Sequence, residues 1–170
     1  MTDVVDKATR SRMMSGIRAK NTKPELLLRS MLHRQGFRFR LHARHLPGTP
    51  DMVLAKFGAV IFVHGCFWHG HECPVFKWPK TRKAFWREKI SRNQTNDRKV
   101  VEALIAAGWR VAVIWECTLR KRPEEIASHV RDIGNWCEVE SHFSSNNDVE
   151  IALAGMTQRE AIGHRTKKSR

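Results

Sequence analysis

Apolar residues recur at two periods along this chain of 170 residues, and the alternation between them predicts an α/β domain. After Thr22-Lys23-Pro24-Glu25, the positions Leu27, Leu28, Met31 and Leu32 fall on one helical stripe. Thr22 is placed to cap that helix, Pro24 suits its first turn, and Glu25 can reach back as the acid of a capping box. Gly36 supplies a stop. Phe37-Arg38-Phe39-Arg40-Leu41 then alternates apolar and basic, the period of a half-buried strand. A turn-rich stretch over residues 45–50 leads into a second strand over 51–55, and Phe57-Gly58 turns the chain into Ala59-Val60-Ile61-Phe62-Val63. That run is almost wholly apolar, as befits a strand at a sheet centre covered on both faces. A long helix is predicted over 81–107, closed by Gly108, followed by a core strand over 109–115 and a last helix from Arg122-Pro123 toward Trp136. Residues 1–140 read as one domain, and the polar, basic stretch 141–170 as a flexible tail.

Charge narrows what this domain meets. Lysine and arginine total 31 against 17 aspartates and glutamates, a formal net charge of +14. Nucleic acid favours such a surface through counterion release, independent of base sequence. Within the first twenty residues Lys7, Arg10, Arg12, Arg18 and Lys20 surround Met13, Met14 and Ile17, the pattern of a short helix or an arm ordered on DNA. An anionic membrane surface ranks last, because no long segment sets a cationic face against an apolar one. The longest apolar run, residues 59–63, is far too short to cross a bilayer, and the amino terminus has no apolar signal core. A cytoplasmic protein is expected. In that reducing compartment the four cysteines suit metal ligation or the core better than disulfides.

Candidate chemistry concentrates in Val63-His64-Gly65-Cys66-Phe67-Trp68-His69-Gly70-His71-Glu72-Cys73, where a strand runs straight into thiols, imidazoles and aromatic rings. Cys66, His71 and Cys73 offer two thiolates and an imidazole in one tight loop, and a fourth ligand would complete the tetrahedral shell of structural zinc. Cys117, at the end of the last core strand, and His69 are both open for that place. Asp51, at a strand start beside a turn, suits either a metal or a turn cap. Glu25 has the capping box as its plain role, and Asp97, next to Arg98 and Lys99, that of a solvated helix residue. Phe67, Trp68 and Trp86 lie amid basic residues, a mixture that stacks on or opens nucleic acid. Trp109, Trp115 and Trp136 suit the core.

In their order, several motifs together resemble the very-short-patch repair (Vsr) endonuclease family, which nicks DNA at T·G mismatches. They are Asp6-Lys7-Ala8-Thr9-Arg10-Ser11, Leu46-Pro47-Gly48-Thr49-Pro50-Asp51, Val60 through His69, Thr81-Arg82-Lys83-Ala84-Phe85-Trp86, and Gly108 through Cys117; the stretch beyond Glu140 lies outside the similarity. The resemblance implies a restriction-endonuclease-like core, a mixed β-sheet flanked by helices and carrying a structural zinc site. It implies that Asp51 binds a catalytic Mg²⁺ with help from the Val63 backbone carbonyl, Val63 standing where the family often has threonine. His69 is implied as general base, Asp97 as the group that orients it, Glu25 as an outer carboxylate holding water of the metal, and His64 as a phosphate contact. Cys66, His71, Cys73 and Cys117 are implied as the zinc set. Phe67, Trp68 and Trp86 resemble a wedge entering the duplex beside the mismatch, with Met13 and Met14 gripping from the minor-groove side. Cys137 has no role in the scheme.

The activity so implied is repair of T·G pairs left by deamination of 5-methylcytosine, with Mg²⁺-dependent hydrolysis of the T strand 5′ of the mismatched T. A monomer working on the nucleoid beside a cytosine-5 methyltransferase is implied, with mismatch-repair proteins as further partners. The alternative is a zinc-stabilised DNA-binding protein without nuclease activity, but such a binder has no need of Glu25, Asp51, His69 and Asp97 together. A zinc base deaminase is set aside because His71-Glu72-Cys73-Pro74 lacks the His-x-Glu and Pro-Cys-x-x-Cys spacing of that chemistry.

Overall fold

The computed structural model describes residues 20–120 and 149–152, with Asp6, Ala8, Thr9 and Arg12 ahead of them. The arm around Met13 and Met14, the helix expected from Arg122 and Cys137 lie outside the described residues. Helix α1 (Lys23–Arg34) starts as its sequence predicts, with Thr22 as cap and Pro24 in the first turn. The Thr22 hydroxyl and backbone N–H both donate to Glu25 Oε1, which closes the capping box.

Five strands form one mixed sheet in the order β1 (Arg40–Leu41), β2 (Met52–Leu54), β3 (Ala59–His64), β4 (Arg110–Trp115) and β5 (Val149–Ala152). The β3–β4 pair alone is parallel, and between them the chain makes a short helix α2 (Cys66–His69) and a long helix α3 (Lys83–Ala106). A final turn of helix, α4 (Glu116–Leu119), follows β4.

Alternation along β3 and β4 sorts the core into two layers. Ala59, Ile61, Ala112 and Ile114 pack with Leu28 and Leu32 of α1 on one face. Val60, Phe62, Val111, Val113 and Trp115 pack on the other, where Leu104 and the half-buried Val100 and Val101 of α3 cover them. The central strand is thus covered on both sides, as its apolar run predicts. The result is a mixed α/β domain, and no helix among the described residues is long and apolar enough to cross a membrane.

Three boundaries differ from the pattern reading. The strand expected over 37–41 keeps only Arg40 and Leu41, because Phe37 and Phe39 pack into the α1 layer and His42 turns the chain with φ +48°. The long helix begins at Lys83, since Arg82 sits at φ +50° as its N-cap. Val149–Ala152, inside the expected flexible tail, is a strand. Its alternating Val-Glu-Ile-Ala backbone pairs antiparallel with β4, from Val149 opposite Ile114 to Ala152 opposite Val111, and so covers an otherwise bare sheet edge.

Candidate active site

The site gathers where β3 ends and β2 begins, since their antiparallel register sets Asp51 beside the last residues of β3. The Val63 N–H donates to Asp51 Oδ2 at 2.8 Å, so the carboxylate stands in for a strand partner. Asp51, Val63, His64, His69 and Asp97 line one cleft of about 340 Å³ together with His42. Burial pushes the Asp51 carboxyl up to about 6, with the Val63 N–H pulling the other way. Withdrawn from water in this way, its ionised form gains from a cation beside it. One oxygen is committed to Val63, and Oδ1 has the His42 ring as a neighbour 3.9 Å away. A hard divalent cation that keeps several waters and takes one or two carboxylates fits such a place.

Glu25 is only 3% exposed and is already surrounded by donors: Asn21 N–H and Arg29 Nη2 at Oε2, Thr22 at Oε1. It lies close to Asp51 and His42, with donor atoms of the three within 4.8 Å. So saturated, it suits an outer place better than direct ligation.

His69 ends α2, and its Nδ1 lies 2.5 Å from Asp97 Oδ2 on α3. Gln94 donates to the His69 carbonyl at 3.1 Å and Asn93 to the Trp68 carbonyl at 2.8 Å, so one face of α3 holds α2 at two successive peptides. Gly70 makes that approach possible. Its φ is +63°, and a Cβ there would meet Ile90 at 2.6 Å and Gln94 at 2.7 Å. His64 stacks on His69, ring centroids 3.8 Å apart and planes 8° from parallel. Burial lowers the His64 pKa to about 3, so this imidazole is neutral and offers hydrogen bonds but no positive charge.

Donor atoms of Cys66, His71, Cys73 and Cys117 also lie within 4.8 Å of one another. Cys117 Sγ is 3.5 Å from His71 Nδ1, and the His71 ring is stacked on Trp115 at 4.1 Å. The sulfur–metal distance of about 2.3 Å puts the corners of a tetrahedron roughly 4 Å apart, so the set is able to hold a metal. Burial pushes the Cys66 thiol up to about 12, and a bound cation would take the place of its proton. Cys117 is the fourth member of that group, and His69 is not, being turned to Asp97. Because Cys66 opens α2 and His71 follows it, a metal held by the cluster would also fix the helix that carries His69.

Phe67, Trp68 and Trp86 form a half-buried group of rings, with Phe67 5.1 Å from each tryptophan. Lys89 lies over Trp68 at 5.2 Å and over Trp86 at 5.7 Å. Phe76 and the 52% exposed Trp78 continue the group outward.

Residues 2–75 match the family model described as DNA mismatch endonuclease Vsr. The chain is 50% identical over 119 residues to the type II nicking enzyme V.XorIIP of Xanthomonas oryzae pv. oryzae, covering 70% of this chain and 88% of that one. To the DNA mismatch endonuclease Vsr of Escherichia coli K12 it is 50% identical over 122 residues, covering 72% and 78%. The type II nicking enzyme V.NmeAIP of Neisseria meningitidis is 43% identical over 136 residues and is spanned to 97% of its length. The chain belongs to the Vsr family of DNA mismatch endonucleases.

In this Vsr-family chain His42 and Arg29 are not among the residues that the sequence singles out. Arg29 sits one helical turn after Glu25, an i,i+4 spacing that was visible, but nothing in the period of residues 42–45 marks His42 as facing Asp51. Asn93 and Gln94 were likewise legible only as residues of a long helix.

Asp51→Asn is expected to stabilise the protein in the absence of divalent metal. The folded Asp51 pKa of about 6 lies above the ordinary carboxyl value of 3.8. Its stabilising contribution is therefore complete below the unfolded value and lost as pH rises through 6. An asparagine escapes that loss, so the variant should gain on wild type between pH 4 and pH 7.5, by about 1–3 kcal/mol. Urea unfolding at the two pH values measures it, and a gap that does not widen with pH contradicts the assignment.

Proposed function

We propose that the chain nicks double-stranded DNA at T·G mismatches arising from 5-methylcytosine deamination, cutting the T strand 5′ of the mismatched T. The observation that carries this reading is the His69–Asp97 pair at 2.5 Å in the same cleft as Asp51. A DNA binder without nuclease activity would keep the charge, the cysteine cluster and the aromatic rings, but would leave that pair without a purpose. A core of restriction-endonuclease type fits the way adjacent strands present Asp51 and Val63.

Mg²⁺ is the proposed cation, held by Asp51 and the Val63 carbonyl, and zinc is the proposed occupant of the Cys66, His71, Cys73 and Cys117 set. In an extended strand the N–H and C=O of one residue leave by the same edge, so the Val63 N–H bonded to Asp51 supports a carbonyl on that side. When bound, the cation polarises the scissile phosphate and stabilises the leaving 3′ oxygen. Glu25, already saturated, holds water around that site rather than the ion itself.

His69 performs the proton transfer. Its Nδ1–H donates to Asp97, which leaves the Nε2 lone pair free to accept a proton from the attacking water. The ring then becomes an imidazolium beside the Asp97 carboxylate, where the charge is compensated. His64 is neutral, so it adds no like charge against that imidazolium; toward a phosphate it serves as a hydrogen-bond partner.

Phe67, Trp68 and Trp86 are proposed to wedge beside the mismatch, with Met14 of the amino-terminal arm opposite. The wobble pair is easier to unstack than a matched one, so part of the selectivity is mechanical. Trp86→Ala is expected to weaken binding to a T·G duplex by about 5–150-fold, the worth of one aromatic–base stack, with little change on matched DNA. Fluorescence anisotropy on the two duplexes decides it, and equal losses on both would remove the wedge. Cytoplasmic action as a monomer, after a cytosine-5 methyltransferase and together with mismatch-repair proteins, completes the proposal. Mapping the nick in an end-labelled duplex with one T·G pair tests strand and position.

A further inference from the structure

His42 and Arg29 stand beside Asp51 with no part in the chemistry above. Arg29 is 8% exposed; its Nη2 reaches Glu25 Oε2 and its Nη1 reaches Asn21 Oδ1, both at 2.6 Å. The same Nη2 lies 3.1 Å from His42 Nε2. A guanidinium carries donors only, so this contact requires a lone pair on His42 Nε2. The imidazole is then neutral with its proton on Nδ1, and Nδ1 is the atom 3.9 Å from Asp51 Oδ1. His42 also sits at φ +48°, a left-handed conformation that few residues with a side chain adopt, at the point where β1 stops.

We propose that Arg29 fixes the tautomer of His42, and that His42 Nδ1–H in turn positions Asp51 Oδ1 for the divalent cation, which makes both of them positioning residues of the metal site. The inference rests on the reading of Asp51 as a metal ligand. Val63 N–H holds one carboxylate oxygen and His42 faces the other, so the carboxylate is constrained from two sides. A shift of about 1 Å brings Nδ1 and Oδ1 to hydrogen-bond distance. Partners of this kind around a ligating carboxylate are worth about 10–100-fold in metal affinity.

The experiment uses the full-length, zinc-loaded protein with Mn²⁺ as probe, the free ion counted by its paramagnetic resonance signal, alongside the metal dependence of T·G nicking. His42→Asn tolerates the left-handed backbone but is too short to bridge Arg29 and Asp51. It is expected to weaken Mn²⁺ binding at least about tenfold and to raise the metal needed for half-maximal nicking by the same factor. The rate at saturating metal should stay near wild type, which a general structural lesion would not allow. His42→Gln keeps one acceptor for Arg29 and one donor for Asp51 and should restore affinity to within about threefold. Arg29→Met should act in the same direction, with little further loss when combined with His42→Asn. Wild-type Mn²⁺ affinity in His42→Asn, while Asp51→Asn loses it, overturns the proposal. Equal affinity in wild type and Asp51→Asn removes the Asp51 reading itself, and the proposal with it.

Discussion

His69→Ala is expected to slow nicking of a T·G duplex by about 10²–10⁴-fold, the range that a positioned general base contributes. Affinity for the mismatched duplex should stay within a few-fold of wild type, because His69 faces Asp97 and His64 in the cleft rather than joining the ring group that carries the proposed wedge. The proton inventory makes the companion variant informative. Asp97→Asn can present an amide N–H to Nδ1, which moves the ring proton to Nε2 and deprives the water of its acceptor. Its loss should approach that of His69→Ala, and the two together should lose little more than either alone. Single-turnover rates at saturating enzyme, with anisotropy for binding, measure both. A wild-type rate in His69→Ala would take the catalytic assignment away.

Cys117→Ser should be the most damaging change to stability. Cys117 follows β4, while Cys66, His71 and Cys73 follow β3, so one ion would tie the ends of the two parallel central strands. A four-ligand structural zinc site carries about 10–16 kcal/mol of binding free energy at neutral pH, much of which acts as folding free energy. Weakening the site by one ligand should release the metal and lower Tm by roughly 10 °C or more. Cys137→Ser, outside the set, should change neither quantity. Zinc content by mass spectrometry with thermal unfolding reads both, and full zinc in Cys117→Ser would undo the ligand set. Because Cys66 and His71 bracket α2, Cys117→Ser should also cost nicking activity at temperatures where the fold persists.

The helix at Thr22, the central strand and the long helix were legible because each is carried by a local signal: a capping box, an unbroken apolar run, an amphipathic stretch closed by glycine. The thiol and imidazole cluster was legible for the same reason, since three of its four members lie within eight residues. Cys117 as the fourth came from resemblance, and its approach to His71 depends on strand register that no local pattern encodes. Arg29 and His42 stayed hidden because their meaning is tertiary. Each is an ordinary polar residue until α1 and the turn after β1 bring both to Asp51. Likewise, Val149–Ala152 has too short an alternation to stand out from a polar stretch, and gains its role only from the bare edge of β4.

The most direct test of the central claim is cleavage of end-labelled duplexes that differ only in one pair, T·G against T·A and C·G, in varied sequence contexts, with Mg²⁺ added or left out. A single nick 5′ of the mismatched T, in the T strand, is expected when Mg²⁺ is present and no nick when it is left out. Tight binding to the T·G duplex without a cut in any context, or equal cutting of matched duplexes, would contradict it.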